Sequence, residues 1–438
     1  MHVPSLDPVE AAHAVPASTD VVIVGGGIAG VSAALFLAEK GIRTVVCEKG
    51  RFGGEQSSRN WGWVRQMGRD RAELPLAIES LRLWRQLEPR WGIDAGFRQT
   101  GIVYAFRAGE DEEGLASWIE SAKQHQLPMR KLDRAAIQRL LPGVAGDFHV
   151  AYHTADDGRA EPSKAVPAIA EAARKRGAVL VADCAVRSIE RKAGKISAVI
   201  TEKGEIGCSA AIVAGGVWSR LFLGNLGVTF PQLKLLGTAM RIESAAELPQ
   251  MPVGGSDFAF RKRIDGGYTV SRRNASLVPI VPDSFRFLTQ FLPTLKTSWR
   301  ELRLRVGNQF FAELVMPRRW SADAITPFER FRTLDPAPNQ RLNRAGLENT
   351  IRAFPAFQGA SITHQWAGLI DATPDGVPVI APIPSIPGLF ISSGYSGHGF
   401  GIGPGAGRLM ADIVAGDYPV VDPAPFSFER LSGTRNRR

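Results

Sequence analysis

This 438-residue chain carries only three cysteines, Cys47, Cys184 and Cys208, odd in number and far apart. They lack the paired spacing of a metal site and the density of a disulfide framework. They read as reduced core thiols of a cytoplasmic protein, and no metal is expected. No uninterrupted apolar run approaches the roughly 18 residues that span a bilayer. The first nineteen residues, MHVPSLDPVEAAHAVPAST, have neither a basic head nor an apolar stretch, which argues against a secretory signal. Acidic residues are outnumbered, 43 against 53 Lys and Arg, for a net charge of +10. The cations are spread along the chain with no nucleic-acid module among them, so they read as a generally basic surface and no nucleic-acid partner is expected. With 44% apolar and 22% charged residues, disorder of the whole chain is excluded. The length exceeds what one core supports, so two domains are expected.

What is present is glycine, concentrated in two turns at opposite ends. The first, VVIVGGGIAGVSAALFLAEKG, begins with a four-residue run at 21–24 that is mostly β-branched and suits a strand buried on both faces of a parallel sheet. Gly25, Gly27 and Gly30 then form G-x-G-x-x-G, helical spacing runs over 29–40, and Gly41 supplies a stop. A second strand, RTVVCEKG, ends on Glu48. Glycine lets the backbone approach a pyrophosphate, the helix N-terminus offers free N–H groups, and the acid at the second strand's tip can hold ribose hydroxyls. The unit does not separate FAD from NAD.

The next segment does. EKGRFGGEQSSRNWGWVRQMG is a long polar, glycine-rich loop where a simple NAD domain would begin its next helix. It resembles the glycine-oxidase and D-amino-acid oxidase superfamily of FAD enzymes, in which a comparable segment passes from the pyrophosphate toward the isoalloxazine ring. Further on, EPSKAVPAIAEAARKRGAVLVADC predicts a helix with Pro162 near its start, a stop at Gly177 and a strand over 179–182. KISAVITEKGEIGCSAAIVAGG predicts a hairpin turned at Lys203 and Gly204, then a strand over 210–214. On DCAVRSIERKAGKISAVITEKG, AGGVWSRLFLGNLGV, GEQSSR and DPAPFSFERL the chain is most similar to the bacterial L-amino acid deaminases, from about Asp20 to Leu431. The resemblance implies an α/β fold: a Rossmann-like FAD-binding domain of residues 20–90, 155–230 and 348–438. It is interleaved with an α+β substrate domain of 91–154 and 231–347 that carries a helical insertion near 283–335.

In the middle, FAFRKRIDGGYTVSRR reads as two strands around a turn at Asp265, Gly266 and Gly267. Phe258, Phe260 and Ile264 lie on one face, and Arg261 and Arg263 on the other. Phe285, Leu288, Leu292, Leu295, Trp299, Leu302 and Val306 keep helical spacing, predicting an amphipathic helix pair broken or kinked at Pro293. Its other face carries Arg286, Lys296, Arg300, Arg303 and Arg305. The apolar stripe is expected to pack on the substrate domain. The alternative is a dock for a membrane surface or redox partner, and the deaminases, which carry an inserted module here, are membrane-associated.

The second glycine turn, SGYSGHGFGIGPGAGRLMADIV, follows a strand predicted over 389–392. The turn is expected over 394–407, with a helix continuing over 408–414 and ending at Gly416. Fewer than thirty residues follow it and none supplies a second ribose-holding acid, so both turns are assigned to one FAD. The late helix N-terminus would stabilise negative charge at the far end of the cofactor. The residues at 25 and at 400 should then converge. The cofactor contacts implied are Gly25, Gly27, Ile28, Ala29, Gly30, Glu48, Lys49, Glu55, Gln56, Ser57, Trp61, Gly62, Val186, Ala214, Gly215, Trp218, Gly397, Gly399, Phe400, Gly401 and Ile402. No cysteine lies near the late turn and no histidine in the early loop, so FAD is expected to be held non-covalently.

Oxidising an amine through a flavin asks the protein mainly for orientation and electrostatics. A substrate carboxylate is best met by a bidentate arginine. Arg261, where the deaminases carry an arginine in a similar FR context, is the first candidate and Arg65 the second. His398 is placed to tune the amine's protonation or simply to donate a hydrogen bond, with a structural role as the alternative; Tyr395 is placed to cap the pocket, and Trp61 and Trp63 to stack by the ring or to fill space. Two departures from the deaminases, His398 in GHGF and Thr100 in QTG, and the likeness of GHGF and SSRNWG to D-amino-acid dehydrogenases and glutamylputrescine oxidases, leave substrate and handedness open. The reading is oxidation of an amino acid's Cα–N bond to an imine, hydrolysed to a 2-oxo acid and ammonia. Its alternatives are a secondary-amine oxidase or dehydrogenase acting on an N-alkyl amino acid or opine, and a non-catalytic FAD-bound relay or assembly protein. Oxygen, a quinone and a redox partner all stay open as electron acceptor, as does the oligomeric state.

Overall fold

The computed structural model describes residues 4–110, 115–245, 248–298 and 302–431. Its first sheet has six strands in the order Val379–Pro382, Leu389–Ser393, Ala210–Val213, Val21–Val24, Thr44–Cys47 and Val179–Val181. Every pairing is parallel except the one between the first two strands. The short apolar runs sit centrally because successive side chains face opposite layers. Val21 and Ile23 pack into a helical layer, while Val22 packs under a three-stranded meander that includes Ile189, Val199 and Ile206. That helical layer contains Ile28–Glu39, Leu74–Trp91, Pro162–Lys175 and Gly399–Ala415. Gly41, Gly177 and Gly416 follow three of these helices with φ of 73°, 98° and 72°, the left-handed stops expected.

A second, larger sheet is built on two long antiparallel strands, Leu233–Glu243 and Ser361–Ala372, paired from Leu233 opposite Ala372 to Glu243 opposite Ser361. It extends through Tyr268–Ser271, Ala259–Lys262 and Val253–Gly254 to Ile102–Arg107, Phe148–Thr154 and Met129–Asp133. Its core is aromatic: Phe260 lies edge-on to Phe354 at 5.0 Å and to Phe357 at 5.2 Å. Because Ser361–Ala372 ends beside the parallel sheet, this second layer delivers Asp371 directly to the cleft described below.

Four expectations are corrected. The late glycines are not one long turn: the helix begins at Gly399, so only Gly394 and Gly397, with φ of 80° and 88°, make the turn. The stretch from 285 to 306 is not a helix pair broken at Pro293. The helices are Pro282–Arg286 and Leu288–Ser298, the second with Pro293 inside it, and Leu302–Arg305 is a strand pairing in parallel with Ser276–Pro279. Trp299 and Arg300 lie outside the described residues. Nor does the apolar stripe pack down, since Phe285 is 65% exposed and Val306 78%. Leu304, Phe311 and Val315 are exposed as well. Finally, Ile264 leaves the face of the buried Phe258 and Phe260 for the turn and is 46% exposed.

Candidate active site

A cleft of about 1210 Å³ opens at the carboxyl ends of the parallel strands. Its wall runs from Gly25, Gly27, Ile28 and Ala29 past Glu48 to Tyr395, Gly397, Gly399 and Phe400, so the two ends of the chain meet on one cavity. Gly25, at φ 112°, is required twice over: a Cβ there would come 2.5 Å from the Ala214 carbonyl oxygen. Gly30 stands behind the wall, and a Cβ on it would overlap the Gly25 carbonyl.

The electrostatics of the cleft suit an anionic, hydroxyl-bearing ligand. Neither Gly27 nor His398, the caps of the first and last long helices, puts a side chain on its helix N-terminus, and neither first turn holds an acid. The N–H groups of both ends therefore face one cavity, apart from Ile28 N–H, which donates to Ser57 Oγ at 3.0 Å. Glu48 accepts from Gly26 N–H at 2.7 Å and Gly50 N–H at 2.8 Å. Burial pushes its carboxyl up, opposed by Lys49 and those two bonds. Each oxygen keeps a lone pair for a hydroxyl. Glu55 clips the loop: it accepts from Lys49 Nζ at 2.7 Å, Leu334 N–H at 3.0 Å and Trp218 Nε1–H at 3.1 Å. Lys49 rides 4.8 Å above the Trp218 ring. Gln56 Oε1 is buried in the same wall with no hydrogen bond among the described residues, an acceptor suited to a ligand donor. These features fit FAD.

Of the residues singled out in the sequence, Ser57, Val186, Ala214 and Gly215 also line the cleft. Gly401 and Ile402 sit one step along the late helix, where Gly401 packs against the Trp63 carbonyl. Trp61, Gly62 and Trp63 lie off the cleft wall, with the two indoles edge-on at 5.8 Å. Gly62 is pinned by φ 74° and by Arg261, whose Nε would stand 2.5 Å from any Cβ. Arg65 is also off the wall; its Nη1 donates to the Met67 carbonyl and its guanidinium lies 5.7 Å from the Tyr104 ring centre.

Arg261 does not present a free guanidinium. It is 1% exposed. Nη1 and Nη2 donate to the two Glu161 oxygens at 2.6 and 2.9 Å, and Nε donates to the Trp61 carbonyl at 2.5 Å. A bidentate pair already satisfied cannot also clamp a substrate carboxylate. The FR context gave no hint of this, because Glu161 lies 100 residues away.

The late end adds Asp371, Ser392 and Glu73, which the sequence reading missed, to Tyr395 and His398, which it named. Asp371 lines the cleft and accepts from Gly394 N–H at 2.6 Å and Tyr395 N–H at 3.3 Å. Burial raises its carboxyl to about 6 against those bonds. An acid inside the apolar strand WAGLIDA was the available signal. Tyr395 shares a 2.6 Å hydrogen bond with Ser392, and burial raises its phenol. His398 Nδ1 lies 2.9 Å from Oε2 of the wholly buried Glu73. Arg51 and Asn60 complete the wall.

The comparisons agree with this geometry. A family model described as FAD dependent oxidoreductase (DAO) matches residues 20–413. Among solved structures, the chain is similar to the L-amino acid deaminase of Proteus myxofaciens, in complex with anthranilate. The TM-score is 0.93 and the identity 34%, covering 98% of this chain and 97% of that one. It is also similar to the L-amino acid deaminase of Proteus vulgaris, with TM-score 0.91 and 33% identity over 96% and 99%. Among sequences, it is 25% identical to the glycine oxidase of Pseudomonas putida, covering 95% of this chain and all of that protein.

Proposed function

The chain belongs to the FAD-dependent oxidoreductase (DAO) family and is an FAD enzyme of that family, and on that premise we propose that it oxidises the Cα–N bond of an amino acid to an imine, which water converts to a 2-oxo acid and ammonia. The observation that carries the reading is the meeting, on one cleft lined by Asp371 and Tyr395, of two helix N-termini that neither cap residue's own side chain closes. The likeness to L-amino acid deaminases at 34% identity supports the deaminating form.

In this reading the free N–H groups at Gly27 and Ala29 hold the pyrophosphate, Glu48 accepts from ribose hydroxyls, and Lys49, Glu55, Gln56, Ser57 and Trp218 form the loop side of the wall. FAD, when bound, supplies the hydride acceptor. The N-terminus of Gly399–Ala415 stabilises negative charge at the reacting end. Arg65 replaces Arg261 as the arginine offered to the substrate carboxylate: it stands off the cleft wall, but among the described residues only one of its donor nitrogens is engaged, by the Met67 carbonyl. Arg261 instead positions the 61–63 segment.

Anaerobic mixing of the holoenzyme with a panel of L- and D-amino acids tests the proposal. Bleaching of the flavin band with release of ammonia and a 2-oxo acid is the expected outcome. Bleaching only by N-alkyl amino acids, with release of an aldehyde or a primary amine, would replace deamination by secondary-amine oxidation. No bleaching by any amine would sink both.

Among the described residues no helix is long and apolar enough to cross a membrane. The exposed Phe285, Phe311, Val306 and Val315, flanked by the exposed Arg286, Arg303 and Arg305, support a peripheral contact with an anionic membrane surface, from which a quinone acceptor would be reached. The three free, buried thiols support a cytoplasmic location.

A further inference from the structure

Glu73 caps the helix Leu74–Trp91, whose positive end favours its charge. Its side chain is wholly buried; among the described residues its one hydrogen bond goes to His398, and the other oxygen, Oε1, has none. Burying a carboxylate costs several kcal/mol unless it is paired, and a merely structural acid would use both oxygens. Burial works to raise this carboxyl, but His398, Arg69 and Arg65 outweigh it and hold it below its usual range. Glu73 is therefore ionised and can only accept, so the hydrogen on His398 sits on Nδ1. The other ring nitrogen, Nε2, makes no hydrogen bond with the described residues, and 29% of the side chain reaches solvent. Gly397 and Gly399, on either side of His398, both line the cleft.

We infer that His398 and Glu73 form a proton-accepting pair: Nε2 of His398 takes a proton from the substrate ammonium, and Glu73 is the positioning residue that fixes the imidazole tautomer which leaves Nε2 bare. The inference rests on the amine-oxidising reading of this cleft and adds a residue and a step to it. The step moves one proton and no electrons: the N–H bond of the ammonium breaks, the Nε2–H bond forms, and the products are a neutral amine and an imidazolium held beside the Glu73 carboxylate. The charged and titratable groups around the pair are Glu73, Arg69, Arg65 and Tyr395. Burial lowers the imidazole, Glu73 raises it, and Arg69 and Arg65 lower it again, for a net downward shift. Arg69 is itself buried, with Nη1 making no hydrogen bond among the described residues, and desolvation pulls it down to about 9. An imidazole below its ordinary value is unprotonated at neutral pH, as a proton acceptor must be.

Two measurements test the pair. In ¹⁵N-histidine-labelled holoenzyme, the His398 signals, identified by their loss in His398→Gln, should show Nδ1 protonated and Nε2 bare. In Glu73→Gln, whose carboxamide can also donate to Nδ1, that fixed pattern should be lost. Rapid anaerobic reduction by the best substrate of the panel should be slowed about 100-fold at neutral pH in both variants, within the range of general-base contributions. The acid limb of the rate should move from below the usual histidine range toward the ammonium's own titration, while the visible spectrum still reports bound flavin. Should Glu73→Gln fail to fold, His398→Gln, at a partly exposed position, carries the kinetic arm. A wild-type His398 protonated at Nε2, or variants that keep the wild-type rate and pH profile, would overturn the inference and leave the proposed function standing. A wild-type flavin bleached by no amine would take both down.

Discussion

The two glycine-rich turns look alike as sequence and differ as structure. In the first, glycine is needed for conformation: Gly25 sits at φ 112° against the Ala214 carbonyl, and the helix starts after Gly27. In the second, only Gly394 and Gly397 serve a turn, and the remaining glycines are helical. Their use is contact. A Cβ on Gly403 would overlap Ile28, one on Gly407 would overlap the backbone of Ser32, and one on Gly405 would stand 2.9 Å from the Leu76 carbonyl oxygen. The late helix is thus wedged between Ile28–Glu39 and Leu74–Trp91, and that wedge brings the two N-termini to one cleft. One end is built by local backbone geometry, the other by partners remote in sequence.

The sharpest way to break this comparison is to add a methyl group at each end. Gly25→Ala meets both a positive φ and a backbone oxygen, together worth about 5 kcal/mol. It should purify colourless or fail to hold FAD on gel filtration. Gly407→Ala meets only a helix neighbour and should cost about 3 kcal/mol by denaturant unfolding. Its FAD affinity, measured on the folded fraction, should stay within severalfold of wild type. Equal loss of FAD from both would erase the distinction.

Next in size is the buried pair behind the loop. Arg261→Met leaves Glu161 buried and uncompensated beside Arg159, which lies 3.9 Å away, a weak substitute for two bonds. Breaking such a pair typically costs 3–5 kcal/mol, so about 4 kcal/mol of stability should go. Replacing both partners with apolar residues should recover much of it. If Arg261→Met unfolds at the wild-type denaturant midpoint while substrate KM rises about 100-fold, the arginine is a substrate clamp after all.

How far the sequence could be read follows the same division. The early unit is contiguous, so strand, glycines, helix stop and Glu48 could be placed from spacing alone; the meander hairpin could too, to within one residue, since it turns at Glu202 and Lys203 and Gly204 already pairs with Thr201. Convergence of 25 with 400 needed only the argument that a second ribose acid is missing. What spacing could not supply was anything fixed by a partner far along the chain: Glu161 on Arg261, Glu73 on His398, Asp371 under Gly394. The stripe at 285–306 misled for another reason. Helical periodicity locates an apolar face but does not say what covers it, and a strand at 302–305 can continue the same run of Leu and Arg.

Asp371 offers a pH test of the late end. Its carboxyl is raised to about 6 in the fold from an ordinary 3.8, so the folded state binds the proton more tightly than the unfolded one. Stability from this group is therefore greatest below about pH 4 and is lost as pH rises through 6, about 3 kcal/mol in all. In apoprotein, the stability gap between Asp371→Asn and wild type should shift by about 1.5 kcal/mol in favour of the variant between pH 5 and pH 7 by urea unfolding. A gap that does not move would mean that Asp371 is solvated and that Gly394 and Tyr395 hold the late turn without it.

The smallest expected effect lies on the surface that neither turn uses. Phe285 and Phe311 bracket Phe310 in edge-on contacts at 6.4 and 5.5 Å, yet both are largely exposed. Removing them exposes no core, so Phe285→Ser with Phe311→Ser should change unfolding free energy by no more than about 0.5 kcal/mol and leave the flavin spectrum untouched. Binding to anionic vesicles should fall about tenfold, since partition scales with the apolar area buried in the interface. Salt should weaken what binding is left, because Arg286, Arg303 and Arg305 supply the electrostatic part. Wild-type protein that ignores vesicles at low salt would remove the membrane reading, and the exposed rings would then have to be covered by another protein surface, a second copy of the chain included.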